Sequence, residues 1–518
     1  MKEKNLRYRP IWTCGRYNEK ARVAIFYNLI AGMSYYFEDY SAEVIGRILE
    51  VGRNEQFFID DIAMQLNIAM DSMLPFFAQL EQMGLVSSVF PSKEIIADYR
   101  KRQSEYNCHQ TQTIVHTTQE KLPYAVSNAE SLYTEKAGGI ASVMFELTYN
   151  CSEQCVHCYN EGATRNNEEI SHRGDRIELT LDDYKRVIDQ LYEQGLFKAC
   201  ISGGDPFSKN IAWDIIDYLY HKGIAFDVFT NGQRIVDKVE KLADYFPRSV
   251  GVSIYSSNAE DHDYITRIKG SWSRSVSVIK QLSALAVPMN VKCCIMQPNL
   301  KSYRGVADIA KKYGAVPQFE VSITDSIEGD KCASRNLRLT PKQLDIVLQD
   351  DNVPLYVGKE APNYGGQPKN MDDNPCGAGY NSFCITPEGN FIPCCAFHTL
   401  FGNVRRENVS QILKSESLAY WRHLKLSDYE ECGNYKYCSY CNLCPGNNFS
   451  QNGTPLKASE NNCYMAKVRY DLAIRLQNGE KPLKGTAIDE RLAEFPDYRK
   501  VTLKRMLPQN NHCDTSLK

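Results

Sequence analysis

From Ser142 onward the chain repeats one pattern, in which short apolar, β-rich runs alternate with stretches of helical spacing. The runs at 143–149, 197–202, 225–230, 249–255, 289–296 and 318–323 read as strands. The stretches at 181–193, 212–221, 234–245, 273–285 and 302–313 read as amphipathic helices. Such alternation predicts an α/β fold with a parallel sheet. Six units are fewer than the eight of a closed barrel, so residues 141–325 are expected to form an open, partial (β/α)6 barrel. Its active site would lie at the carboxyl ends of the strands, where every motif below falls.

Upstream, 23–29 and 34–37 read as strands broken at Ala31-Gly32, followed by helices at 41–51, 57–66 and 71–83. A hairpin with three helices predicts a winged-helix-like α+β module over 1–97. Residues 98–140 are rich in Gln, Thr, Ser and His and read as a linker. Downstream, 326–375 reads as a bridging region, 376–470 as a Cys-, Gly- and Asn-rich domain and 471–518 as a basic tail.

A length of 518 residues calls for several domains. A formal net charge of -3 gives no field that would draw nucleic acid or an anionic membrane as the general partner. The start is charged where a signal peptide would be apolar, and no stretch is apolar enough to span a bilayer, so a cytoplasmic location is expected. There are 19 cysteines, and their distribution matters more than their number. Cys151, Cys155 and Cys158 lie together, and nine more fall between Cys376 and Cys463. Clusters of this kind mark metal sites rather than a disulfide framework.

Cys151-x3-Cys155-x2-Cys158 follows the first barrel strand, on a loop that can wrap three thiolates around one corner of a metal cluster. Three ligands on a four-iron cluster leave one iron open to a cofactor or substrate. A zinc site completed by His157 is the competing reading. With Tyr159 beside its last cysteine, this loop resembles the hallmark of the radical S-adenosylmethionine superfamily. The resemblance implies S-adenosylmethionine chelated by the open iron and cleaved to a 5'-deoxyadenosyl radical. Ser202-Gly203-Gly204-Asp205-Pro206 stands where that family has a GGE-like motif for the cofactor's amino group, with Asp205 in place of the usual Glu. Asn231 after the third strand and Ser253 near the end of the fourth fall where members contact the cofactor, although alone each reads as a turn or strand-end polar group. The segment from His262-Asp263 to Gly270-Ser271-Trp272 resembles a loop of the SPASM branch.

Cys376-x12-Gly389-x4-Cys394, then Cys432-x5-Cys438-x2-Cys441-x2-Cys444 and Cys463, resembles the SPASM extension, which holds two auxiliary four-iron clusters. The resemblance implies Cys376, Cys394 and Cys444 for the first, with Cys384 available as fourth ligand. It implies Cys432, Cys438, Cys441 and Cys463 for the second. The chain departs from the family at Tyr435, which stands where a cysteine is usual. Zinc on the Cys-x2-Cys pairs is the alternative. Cys395 is expected to point away from its neighbour's cluster.

From 57 to 83 the chain has Asp60, Asp61, Asp71 and Glu81 and no Lys or Arg, which disfavours DNA binding by the winged-helix pattern. The segment from Asn28 to Leu49 is similar instead to the precursor-recognition element of peptide-maturing enzymes, as in the small peptide chaperone of pyrroloquinoline quinone biosynthesis. Together the resemblances imply a maturase of ribosomally made peptides. It would hold its precursor peptide by the leader, carry S-adenosylmethionine and three 4Fe-4S clusters, and draw electrons from a flavodoxin- or ferredoxin-type donor, with neither nucleic acid nor membrane as partner. Thioether formation from substrate cysteine is the favoured reaction. Carbon–carbon crosslinking and α-carbon epimerisation remain open, as does, from another class, a winged-helix iron–sulfur redox regulator. No catalytic side chain beyond the cofactor ligands is selected.

Overall fold

The structure is a computed structural model that describes residues 5–112, 128–160, 178–325, 331–353, 370–374, 376–429, 431–432 and 435–498. At the amino end, β1 (Leu6–Tyr8) pairs antiparallel with β5 (Gln56–Phe58). A second, three-stranded antiparallel sheet is formed by β2 (Thr13–Asn18), β3 (Val23–Asn28) and β4 (Met33–Glu38), with β3 in the centre. Helices α1 (Asp39–Glu50), α2 (Ile59–Leu66) and α3 (Met70–Gln82) pack against it. The short strands β1 and β2 are the elements that the apolar pattern does not announce.

Every residue of β3 is buried. Ala24 and Phe26 face the module's own core, whereas Val23, Ile25 and Tyr27 join Trp12 in a cluster with Phe197, Ala225, Phe246 and Ala286. Those four partners lie at or just before the amino ends of barrel strands, so the module seats on the amino-terminal end of the barrel. Arg16 donates to the carbonyls of Leu196 and Tyr192 at 3.0 and 2.7 Å, and Arg53 to that of Tyr220 at 2.7 Å. A fully buried apolar side chain is worth about 1.5–3 kcal/mol, so several of them with charged hydrogen bonds make a docked unit rather than a tethered one.

The 98–140 stretch is not an extended linker where it is described. Helix α4 (Lys93–Gln112) covers its first part and α5 (Ala129–Ala137) its end, while 113–127 lies outside the described residues. Its polar composition conceals α4 because the helix is fixed by a few contacts, such as Ser104 donating to the Ser283 carbonyl at 2.6 Å, instead of by an apolar stripe. α5 closes the amino end of the barrel. There Glu130 accepts from Tyr27 Oη at 3.0 Å and pairs with Lys198 and with Arg248, the latter at 3.3 Å, while Arg248 also pairs with Asp227.

The barrel sheet contains β6 (Ser142–Glu146), β7 (Lys198–Ser202), β8 (Ala225–Thr230), β9 (Ser249–Ser253), β10 (Met289–Cys294) and β11 (Val316–Glu320), all parallel and in sequential order. The expected helices form at Leu181–Glu193, Ala212–His221, Ser271–Ala284 and Arg304–Lys312, with a shorter one at Val239–Ala243. The strands alternate sharply. Val143, Phe145, Ile201, Val228, Val252 and Val291 turn outward into the helix layer, while Glu146, Ser202, Asp227, Ser253 and Lys292 occupy the intervening positions. The barrel interior is therefore a polar cavity rather than a packed core.

The sheet does not stop at six strands. β12 (Ser382–Ile385) adds to β6 in parallel, and β13 (Asn390–Ile392) and β14 (Gly402–Asn403) extend it antiparallel to nine. The cysteine-rich segment begins as part of the barrel sheet, a fact that short strands separated by polar loops do not reveal. In the 326–375 region helices form at Lys331–Leu337 and Pro341–Val347. The first part of the expected tail is structured as well: helix Glu460–Gln477 crosses residue 470, and Thr486–Ala493 buries Ile488 and Leu492. The rest, from 499, lies outside the described residues. Among the described residues no helix is long and apolar enough to cross a membrane.

Candidate functional site

The loop after β6 carries Cys151, Cys155 and Cys158 and is pinned at several backbone points. Gln154 N and Val156 N donate to Thr266 O and Ile265 O at 3.0 and 2.9 Å, and Gly204 N and Asp205 N donate to Thr148 O and Asn150 O at 2.7 and 3.0 Å. The glycines make the last contacts possible. Gly203 has φ +131°, and a Cβ there would stand 2.3 Å from Thr148 O; at Gly204 it would stand 2.6 Å from two carbonyl oxygens. The two glycines thus serve the approach of one loop to another, as well as facing the cavity.

That cavity, about 600 Å³, opens at the carboxyl ends of the strands. Cys151, Cys155, Cys158, Tyr159, Gly203, Gly204, Asn231 and Ser253 all line it. Asn231 Nδ2 donates to Cys151 Sγ at 3.3 Å. Asp205 lies behind the lining, with no exposure. Its Oδ1 accepts from Thr230 Oγ1 at 2.7 Å, its Oδ2 has no hydrogen-bond partner, and burial raises its pKa to about 6. Tyr159 Oη donates to Glu146 Oε1 at 3.3 Å, and burial holds the Glu146 carboxyl at about 7.

Two cavity residues, Glu153 and Lys292, escape sequence reasoning, and His157 enters it only as a possible zinc ligand. Glu153, inside the cysteine loop, is 2 % exposed with Oε1 unpartnered. His157 stands edge-on to Tyr255 with ring centroids 4.5 Å apart, its Nδ1 is buried without a partner, and burial lowers its pKa to about 4. Lys292 on β10 lays its stem across Gly251 and its ammonium 3.7 Å from the centroid of the Phe229 ring. A lone Glu, His or Lys in a sequence carries no mark of a cavity; the inward alternation of the strands was the available signal for Lys292. The loop from His262 to Trp272 proves architectural, because Asp263 accepts from Gly270 N, from Ser271 Oγ at 2.9 Å and from Trp272 N at 3.0 Å.

In the carboxyl-terminal segment Cys432, Cys438, Cys441 and Cys463 line one smaller cavity of about 270 Å³, with Tyr435 and Asn462. Tyr435 Oη donates to the Cys463 carbonyl at 3.0 Å, so this residue braces the pocket. Cys394 has Cys444 and Cys376 among its electrostatic neighbours, and Cys384 has Cys394 and Glu146. Cys395 is half-buried near Glu146, Tyr159 and Cys444.

The donor sets fit metal–thiolate clusters. Burial pushes the Cys151 thiol to about 12 and Cys155 well above its ordinary value, so these groups become thiolates only when positive charge arrives with a metal. A zinc ion needs ligands converging on one point at about 2.3 Å. Among the described residues the thiols line cavities of about 600 and 270 Å³ rather than converging on a point. The cavity beside Cys151 fits S-adenosylmethionine, since it presents an ammonium at Lys292 for a carboxylate, with the orphaned Asp205 Oδ2 behind its glycine wall for an amine.

Comparison with known proteins agrees. Residues 145–300 match the Radical SAM superfamily and residues 376–445 the SPASM iron-sulfur cluster-binding domain. The chain is 26 % identical over 317 residues to the antilisterial bacteriocin subtilosin biosynthesis protein AlbA of Bacillus subtilis, covering 58 % of this chain and 66 % of AlbA, just under two thirds of it. It is 25 % identical over 329 residues to the AdoMet-dependent heme synthase of Methanosarcina barkeri, covering 59 % of this chain and 90 % of that protein. In fold it is similar to Streptococcus suis SuiB bound to the precursor peptide SuiA, with a TM-score of 0.50 and 12 % identity over 88 % of this chain and 99 % of that one. A radical-SAM barrel with its cysteine loop over a cavity, extended by a SPASM match, makes the chain a radical SAM superfamily enzyme, homologous to AlbA and to the mycofactocin maturase MftC.

Proposed function

We propose that the protein modifies a ribosomally synthesised precursor peptide by forming sulfur-to-carbon thioether crosslinks from substrate cysteines. The observation that carries this reading is one cavity, lined by three cysteines on one side and by Lys292, Cys294 and Glu320 on the other, in a barrel whose amino end is closed by a separate α+β module. When bound, S-adenosylmethionine and a reduced four-iron cluster supply a 5'-deoxyadenosyl radical that abstracts a hydrogen atom.

The chain's own residues bind and orient. Cys151, Cys155 and Cys158 hold the cluster, Asn231 orients Cys151, and Gly203, Gly204, Asp205, Ser253, Tyr159 and Lys292 form the cofactor's bed. Cys376, Cys384, Cys394 and Cys444 hold one auxiliary cluster, and Cys432, Cys438, Cys441 and Cys463 a second. The amino-terminal module is a winged-helix-like recognition element of the pyrroloquinoline-quinone chaperone kind. Its edge strand β4 lies beside α3, an arrangement suited to adding a leader peptide as a further strand. A leader held there raises the local concentration of the modified segment. Electrons come from a flavodoxin- or ferredoxin-type protein, and the enzyme works in the cytoplasm.

The test is anaerobic incubation of the reconstituted enzyme with a cysteine-containing precursor, a reductant and S-adenosylmethionine. Thioether formation gives 5'-deoxyadenosine and a product lighter by two hydrogens per crosslink, with its cysteines no longer alkylatable. A product whose thiols all still react with iodoacetamide sinks this reading.

One observation favours a second reading, α-carbon epimerisation. Cys294 lines the cavity, on the wall that carries Lys292 and Glu320, where a hydrogen-atom donor would stand. Deuterium taken from solvent into a product of unchanged connectivity, and lost with Cys294→Ala, would establish it.

A further inference from the structure

Helix Glu460–Gln477 buries a cation that forms no ion pair within 4 Å among the described residues. Arg469 is 5 % exposed, its guanidinium donates once, to the Tyr440 carbonyl at 3.0 Å, and its Nε and Nη2 are buried without a hydrogen-bond partner. The anionic or potentially anionic groups nearest to it are the Cys441 thiol and the Glu320 carboxylate. Glu320 is engaged elsewhere, its Oε1 accepting from Val321 N at 2.9 Å and Ser322 N at 2.7 Å. A guanidinium buried with two idle donors is expensive unless an anion completes its surroundings.

The thiol pocket lies against it. Tyr440, which takes its one hydrogen bond, immediately precedes Cys441, and the Cys441 thiol points to the Asn462 carbonyl at 3.9 Å. Asn462 sits in the first turn of the helix that carries Arg469, about two turns earlier on the same face, with Cys463 next to it. Four thiolates around iron leave a cluster with net negative charge, and the charge grows on reduction.

We propose that Arg469 is the built-in counter-cation of an anionic metal–thiolate cluster in the Cys432, Cys438, Cys441 and Cys463 pocket, and that it raises the reduction potential of that cluster. The inference rests on the proposal that these four thiols hold iron and sulfide. A fixed positive charge favours the more negative, reduced state, so the second auxiliary site is the one built to accept an electron readily. In the metal-free protein the same charge is a liability, which ties loading of the cluster to the stability of this helix.

The experiment uses the full chain with Arg469→Met and Arg469→Lys, loaded anaerobically, with a redox titration followed by electron paramagnetic resonance and melting of metal-free and loaded protein. The expected result is an auxiliary potential that moves negative in Arg469→Met and much less in Arg469→Lys, while the signal perturbed by S-adenosylmethionine keeps its potential. Metal-free Arg469→Met should melt at or above the metal-free parent, and loaded Arg469→Met below the loaded parent. An unmoved potential at full iron content overturns the proposal, as does an equal fall in melting for both forms. If Arg469→Met loses its iron while Arg469→Lys keeps it, the counter-cation role stands; if both lose it and both metal-free proteins are destabilised, the residue is merely structural. Zinc in place of iron in the parent would overturn the cluster reading instead, and the melting comparison alone would then decide the role of Arg469.

Discussion

The loop at 151–158 and the pocket formed by Cys432, Cys438, Cys441 and Cys463 are both thiol sites, and they are built for opposite purposes. The loop offers three thiols to a 600 Å³ cavity that also holds unpartnered acid and imidazole atoms, whereas the pocket closes four thiols around 270 Å³ with Leu443 and Ala458 among its walls. Under the proposed assignment, three ligands and open polar space leave a place for a reacting molecule, and four ligands and a closed wall a place for charge alone. The difference teaches that reactivity is read less from the number of cysteines than from what shares their space.

The contrast is broken most severely by removing the loop's ligands. With Cys151, Cys155 and Cys158 all changed to Ala, 5'-deoxyadenosine formation is expected to vanish and iron to fall from about twelve to about eight per chain. Retained cleavage would end the assignment. Cys438→Ala should instead lower iron by about four while reductant-driven cleavage of S-adenosylmethionine persists, so that product formation alone is lost. Equal loss of both activities would erase the distinction between the two sites.

Subtler changes sharpen it. Gly203→Ala drives a Cβ toward Thr148 O, 2.3 Å away, and should lower stability by about 1–3 kcal/mol, read by melting of the metal-free chain. Asn231→Ala removes the 3.3 Å contact with Cys151 Sγ and should slow cleavage by about tenfold, with little change in melting. The smallest effect is on acid stability. Burial lowers the His262 pKa from 6.5 to about 4, so its stabilising contribution is present above the unfolded value and fades as pH falls from 6.5 through 4. His262→Asn should flatten that part of the melting-versus-pH curve.

Much of this was legible in the sequence, for reasons the structure makes plain. The six barrel strands bury apolar side chains against helices and so announce themselves, and β3, buried on both faces, reads as a continuous apolar run. The cysteine loop was legible because its ligands are adjacent in the chain. The second pocket was legible as a supply of thiols, although Tyr435 obscured the pattern. What stayed hidden depends on contacts across long separations. β12 joins β6 over more than two hundred residues, α4 carries few apolar residues beyond Ile95, Ile96 and Tyr99, and Glu153, Lys292 and Arg469 acquire meaning only from neighbours on other elements. Cys395, expected to be packed rather than ligating, sits after β13 near Tyr159.

The seating of the amino-terminal module gives the barrel a floor. With Trp12, Tyr27 and α5 packed beneath the strands and Glu130, Lys198, Arg248 and Asp227 locked together there, the described residues close the amino end and leave the cavity's mouth at the carboxyl ends. On the proposed function, cofactor and peptide would both use that mouth. A polypeptide anchored on β4 can reach that mouth only by running around the outside of the barrel. The distance between its anchored and its modified residues therefore has a lower bound, and precursors shortened below it should bind without being processed.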